Sequence, residues 1–109
     1  ATHTDFTDLD TYLGSYPGGE LKETGTTHWN APNSEATDIY GFTMVGNGHR
    51  WTAPFGFELL KGSGDLWTAT SSSASNAYLV QFSSSSGGWT VNATQTKAHG
   101  RAVRLVRDI

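Results

Sequence analysis

The chain has 109 residues, a formal net charge of −3 and no cysteine, which excludes a disulfide framework, a thiol nucleophile and a thiolate metal site. Hydrophobic residues make up 36% of the sequence and charged residues 16%. The deficit is filled by Gly, Ser and Thr, a composition typical of secreted all-β or α+β domains. The acidic balance argues against nucleic acid as the partner, and no apolar run is long enough for membrane insertion.

These properties predict one domain over residues 1–109, at a secreted or cell-surface location. We expect this domain to be a fragment of a longer protein and to be monomeric when isolated.

The opening residues predict one helix, over residues 3–13. Thr2 and Asp5 have the spacing of a capping box, and an acidic residue in the first turn suits the helix dipole. Phe6, Leu9 and Leu13 fall on one helical face, which we expect to be buried against a sheet.

From Tyr40 onward, short apolar stretches alternate with clusters of glycine and serine, which is the pattern of β-strands. The serine clusters at 71–75 and 83–86 are short enough to be hairpin turns. One helix on a mostly antiparallel, twisted sheet is an α+β fold. The candidate strands are YGFTMVG, HRWTA, FGFELL, DLWTAT, NAYLVQF, GWTVNAT and GRAVRLVR.

Three motifs in chain order cover most of the sequence: LGSYPGGELKETGTTHWNAPNSEATDIYGF, GDLWTATSSSASNAYLV and GRAVRLVRDI. Together they resemble the Fibrobacter succinogenes major paralogous domain family, with an N-terminal truncation. The resemblance implies a C-type-lectin-like fold with long structured loops, like that of formylglycine-generating-enzyme-like proteins, on secreted or surface bacterial proteins. Leu105 stands where many relatives carry cysteine, and Asp38-Ile39-Tyr40 replaces a more polar stretch.

Within the first motif, the polar segment LKETGTTHWNAPN has Trp29 as its one aromatic residue. We interpret this segment as a long structured loop ordered by Thr and Gly turns, with Trp29 filling the core beneath it. The enzymes of the related group depend on cysteines, so their activity is not carried over to this chain.

Aromatic residues provide the candidate binding site. Sugar rings pack their C–H faces on indole and phenol rings, and their hydroxyls bind short polar side chains. Trp51, Tyr78 and Trp89, with Asn76 and Asn92, supply this mixture. Period-two alternation sends each indole either into the core or onto an open face, and the small core favours the open face. We therefore expect an exposed aromatic platform that binds an extended glycan.

Two functions follow as hypotheses. The first is a non-catalytic carbohydrate-binding module appended to a protein that acts on polysaccharide or on a cell surface. The alternative is a protein-binding adhesin or receptor tip that displays a tolerant Ser/Asn/aromatic surface over residues 67–96. Catalysis has little support, because Glu58 and Asp65 are not brought together by sequence and no nucleophile elbow occurs; no catalytic residue is assigned.

Cofactor binding is not expected, although calcium is left open. Asn30, Asn33, Glu35 and Asp38 are oxygen ligands within nine residues, of the type that calcium uses. Their spacing fits no EF-hand, and a solvated polar loop is the alternative. The histidines are scattered one per segment, which argues against zinc. Arg104, if buried, needs a carboxylate partner.

Overall fold

The structure is a computed structural model that describes residues 1–52 and 55–107. Helix α1 spans His3–Tyr12. The Thr2 hydroxyl accepts a hydrogen bond from the Asp5 backbone N–H, and the Asp5 carboxylate accepts one from the Thr2 N–H. Phe6 and Leu13 are buried, and Leu9 packs against the core. The predicted helix, its capping box and its buried face are confirmed.

A second, shorter helix was not predicted. Helix α2 spans Pro17–Leu21, and Pro17 suits a helix start because its φ is already helical. Gly18 and Gly19 disfavour a helix by propensity, which is why the sequence pattern indicates a turn. A Cβ on Gly18 would lie 2.2 Å from the Gly88 carbonyl oxygen, and one on Gly19 would lie 2.1 Å from that of Glu35. The two glycines therefore let α2 pack against neighbouring backbone.

The strands form two sheets. β1 and β2 make an antiparallel pair, and the other four strands lie in the order β5-β4-β3-β6. β3, β4 and β5 are joined by hairpins at the two serine clusters, as predicted, whereas β6 pairs parallel with β3. Their bounds are His49–Thr52 (β1), Phe55–Glu58 (β2), Ser63–Ser71 (β3), Asn76–Ser83 (β4), Ser86–Thr96 (β5) and Ala102–Val103 (β6).

Two strand predictions are corrected. The stretch YGFTMVG forms no strand; it makes one isolated bridge, between Lys22 and Met44. Positive φ angles at Gly41 (68°) and Thr43 (53°) interrupt any extended backbone there. In GRAVRLVR only Ala102–Val103 is a strand. The α+β class and the mostly antiparallel sheet are confirmed.

The core lies between the four-stranded sheet, α1 and the polar segment that follows α2. Trp29 is fully buried, and its indole N–H donates to the Met44 carbonyl at 2.9 Å. The expectation that Trp29 fills the core is confirmed. The buried cluster consists of Phe6, Leu13, Leu21, Trp29, Met44, Leu66, Val80 and Phe82.

Lys22 is also fully buried. Its ammonium donates to the backbone carbonyls of Ser34 (2.9 Å), Ser83 (2.8 Å) and Ser86 (3.0 Å). Burial lowers the pKa of Lys22, and the nearby Glu35 carboxylate opposes that shift. One side chain of the polar segment thus ties this segment to the β4–β5 turn.

Candidate functional site

Tyr78 and Asn92, two of the predicted site residues, meet at a residue that was not predicted, His3. The Tyr78 ring stacks on the His3 imidazole, with centroids 4.0 Å apart and an interplanar angle of 15°. Asn92 Oδ1 lies 2.8 Å from His3 Nε2. Asn76 lies two residues before Tyr78 on β4, so it shares the same face of the strand. Three predicted residues are therefore grouped near the start of α1.

Trp89 lies between α1 and the sheet. It is half-buried, its indole N–H donates to the Asp10 carboxylate, and it packs against the core. Its ring meets Phe6 edge-on at 6.2 Å and lies 5.3 Å from Phe82. Trp89 was expected on an open face of the sheet, but its ring packs against the core instead. Trp67 lies outside the buried cluster, with the Arg101 guanidinium 5.0 Å from its ring.

Trp51 lies on β1, in the other sheet. Its half-buried ring makes edge contacts with His49 and His99, at centroid distances of 4.9 and 4.4 Å. Its indole N–H donates to the Glu58 carboxylate across the β1–β2 pair. The structure therefore does not bring Trp51, Tyr78 and Trp89 together on one surface.

A cleft lies at the end of the sheet where the β4–β5 hairpin turns. It is open and has a volume of about 470 Å³. Most of its side chains carry a hydroxyl or an amide, and Trp89 is the predicted site residue that borders it. The lining residues are Leu59, Gly62, Ser63, Gln81, Phe82, Ser83, Ser86, Gly88, Trp89 and Thr90.

An exposed aromatic pair escaped sequence reasoning. Tyr12, at the end of α1, is 73% exposed, and its ring centroid lies 5.8 Å from that of Tyr40. Tyr40 belongs to the stretch interpreted as a strand, so the pattern gave no reason to place it beside a helix. The helical period places Tyr12 on the same face as Phe6, Leu9 and Leu13, whereas the structure leaves this ring exposed at the end of the helix.

A buried polar cluster surrounds Asp65, which is fully buried. Its carboxylate accepts hydrogen bonds from Ser63 Oγ at 2.7 Å and Arg101 Nε at 3.1 Å, and it lies 2.9 Å from His49 Nδ1. The Asn47 side chain bonds both backbone groups of Asp65. Sequence reasoning considered Asp65 only as a carboxylate and missed this cluster, because its members are 16 and 36 residues apart from Asp65.

Arg104 does not have the carboxylate partner that was expected for a buried arginine. It is half-buried, its guanidinium lies 4.2 Å from the Phe42 ring centroid, and Nη2 donates to the Phe42 carbonyl at 2.7 Å. Among the contacts that the structure describes, the arginine that binds a carboxylate is Arg101.

In the loop considered for calcium, the Asp38 oxygens have internal partners, whereas Asn33 Oδ1 is buried without a hydrogen-bond partner in the described part of the chain. The Asn33 amide donates to the carbonyls of Glu23 (2.9 Å) and Gly25 (2.7 Å). The Asp38 carboxylate accepts from both the backbone N–H and the hydroxyl of Thr43. In residues 1–52 and 55–107, no group of three or more His, Cys, Asp or Glu residues could hold a metal ion. Asn30 and Glu35 are exposed, and the expectation that the chain binds no cofactor, with calcium left open, stays a prediction.

Comparisons of the chain with protein-family models, with curated proteins and with solved structures found no match. The family resemblance therefore rests on the three motifs alone. Of the helices in the described residues, none combines the length and the apolar character needed to cross a membrane.

Proposed function

We propose that this chain is a non-catalytic carbohydrate-binding module with a C-type-lectin-like fold, belonging to a secreted or surface bacterial protein and directed at polysaccharide. The observation that carries the proposal is the open cleft of about 470 Å³ at the β4–β5 turn. The motif resemblance supports the same fold and location.

The lining of the cleft suits sugar hydroxyls. Ser86 and Thr90 offer hydroxyls that can donate and accept, and the Gln81 amide does the same with separate atoms. The Ser63 hydroxyl donates to Asp65 and the Ser83 hydroxyl bonds that of Ser85, and both retain acceptor capacity. Sugar hydroxyls likewise donate and accept, so such a surface can replace the water around them. Ring faces near hydroxyl and amide groups are the usual composition of such sites.

The test is binding of soluble polysaccharides by affinity electrophoresis and calorimetry, with the variant Gln81→Ala. Gln81 is half-buried on β4, and losing its amide removes one or two hydrogen bonds, each worth about 0.5–1.5 kcal/mol. We expect about a ten-fold weaker Kd with little change in melting temperature. Tyr12→Ala is the matched control, because the Tyr12 ring is exposed and does not line the cleft.

Silence of the unmodified protein across a broad polysaccharide panel would contradict the proposal. Loss of binding in Tyr12→Ala but not in Gln81→Ala would instead transfer the glycan site to the Tyr12–Tyr40 pair.

The alternative function, a protein-binding receptor or adhesin tip, has one observation in its favour. Large apolar side chains are exposed on β2 and near the end of the described chain, including Phe57 (86% exposed) and Leu105 (84%). Exposed apolar surface is typical of protein interaction sites when it is contiguous. A silent glycan panel would favour this alternative.

A further inference from the structure

A second cavity lies beside the buried Asp65 cluster, on the side of β6. Its volume is about 270 Å³, and its walls include His49, Arg50, Phe57, Arg101 and Ala102. Phe57 and Ala102 contribute apolar side chains to this wall, and Asn47, Gly48 and Gly100 contribute no charge. The polar groups that stand out are the imidazole of His49 and the guanidinium of Arg101.

Both of these side chains are almost wholly buried, with 4% of the His49 side chain and 1% of the Arg101 side chain exposed. Each uses one nitrogen on Asp65: Nδ1 for His49 and Nε for Arg101. Each retains a second buried nitrogen, His49 Nε2 and Arg101 Nη1, that has no hydrogen-bond partner in the described part of the chain. Buried polar atoms of this kind are rare because they lose their hydration without replacement.

The chemistry of the two nitrogens defines an occupant. An arginine N–H can only donate, so Arg101 Nη1 requires an acceptor and favours an anionic oxygen. Asp65 at Nδ1 directs the proton of a neutral His49 to that nitrogen, which leaves Nε2 as an acceptor for a hydroxyl. A carboxylate oxygen beside a hydroxyl, on a small ring that can lie against apolar walls, satisfies both nitrogens.

We propose that this cavity binds the carboxylate of an acidic sugar, so that the module recognises uronate residues in a polysaccharide. This inference rests on the proposed carbohydrate-binding function and specifies its substrate class. The carboxylate contacts Arg101, and an adjacent ring hydroxyl donates to His49.

The experiment compares D-galacturonate with D-galactose, which differ at the sugar C6 group that carries the carboxylate. Binding is followed by NMR through the tryptophan indole N–H signals. Trp51 contacts His49 and Trp67 lies under Arg101, so both signals are expected to shift with galacturonate. Trp29, on the core side, should not shift. Galactose should leave the Trp51 and Trp67 signals unchanged.

Ala102→Phe fills the cavity without altering the Asp65 cluster, and we expect it to weaken galacturonate binding about ten-fold or more. The matched control is Val103→Phe, because neighbouring strand residues point to opposite faces and Val103 does not line the cavity. Phe57→Ala is a second variant, chosen because Phe57 is 86% exposed and its removal spares the fold. It should also weaken binding.

Equal shifts with galacturonate and galactose, or unchanged binding in Ala102→Phe, would overturn the inference while leaving the proposed function intact. Equal shifts with galacturonate and acetate would show that only the carboxylate is recognised, and would overturn the assignment to a sugar acid. A galacturonate-specific shift in a protein that no polysaccharide retards would support this site and contradict the proposed function.

Discussion

The ammonium of Lys22 lies inside the protein and donates to three backbone carbonyls. Lys22→Met keeps the apolar stem but leaves these carbonyls without a donor, and each unsatisfied buried group costs about 1–3 kcal/mol. We expect the free energy of unfolding, measured in urea, to fall by about 3 kcal/mol or more. A loss below about 1 kcal/mol would contradict this account of the polar segment.

The control for this change is Lys97→Met. Lys97 is exposed and donates to one carbonyl, that of Ala74, at 3.2 Å. Surface substitutions of this kind usually change stability by less than about 0.5 kcal/mol.

His99 is expected to make stability depend on pH. Desolvation, followed by the nearby charge of Arg101, lowers the pKa of His99 from its ordinary value of 6.5. The unfolded chain then binds the proton more readily than the folded chain, so the stabilising effect of neutral His99 is present above pH 6.5. It is lost as the pH falls through the lower pKa of the folded state.

The measurement is the free energy of unfolding from pH 7.5 to pH 5, for the protein and for His99→Gln. We expect the protein to lose more stability than the variant over this range. Parallel loss in both would show that His99 titrates alike in the folded and unfolded states.

Helix α1 is held against the sheet by the ring of Phe6. Phe6 is buried and meets Trp89 edge-on, so Phe6→Ala should cost about 3–5 kcal/mol of unfolding free energy. Thr4→Ala is the control, because Thr4 is exposed on the same helix. If thermal melts of the two variants gave equal midpoints, the docking of α1 would be wrong. Leu9 is only half-buried, so Leu9→Ala should cost less than Phe6→Ala.

The elements that could be predicted from sequence are those whose cause is local. The Thr2–Asp5 spacing defines the start of α1, and serine turns between apolar runs define the β3–β4–β5 hairpins. Helix α2 was missed because close backbone contacts override the low helix propensity of its glycines. Strand β6 depends on a parallel pairing with β3. No local sequence pattern predicts that pairing.

At the scale of the whole molecule, site prediction fails where it depends on sheet order. The residue types were informative, since Tyr78, Asn76 and Asn92 do share one region and Trp89 borders the cleft at the β4–β5 turn. The face that each ring occupies depends on which strands pair and on what covers them. Trp51 lies in the second sheet, and the Asp65 cluster joins side chains that are far apart along the chain. Neither arrangement is contained in a period-two pattern.

Calcium removal gives a further prediction for the intact protein. Both Asp38 carboxylate oxygens accept from Thr43, and the described residues contain no group of three or more His, Cys, Asp or Glu residues that could hold a metal ion. We expect neither EDTA nor added calcium to change the melting temperature. A reproducible calcium-dependent rise would contradict this, because a ligand specific to the folded state stabilises it by mass action.

The Lys22 ammonium acts as a bound cation that cannot dissociate from the protein. Its charge sits among three carbonyl oxygens, a set of ligands like those that enclose a hard metal ion, but it is covalently part of the chain. Its occupancy therefore does not change with dilution, with chelators or with the ionic composition of the medium. The junction between the polar segment and the β4–β5 turn therefore does not take its central cation from the medium.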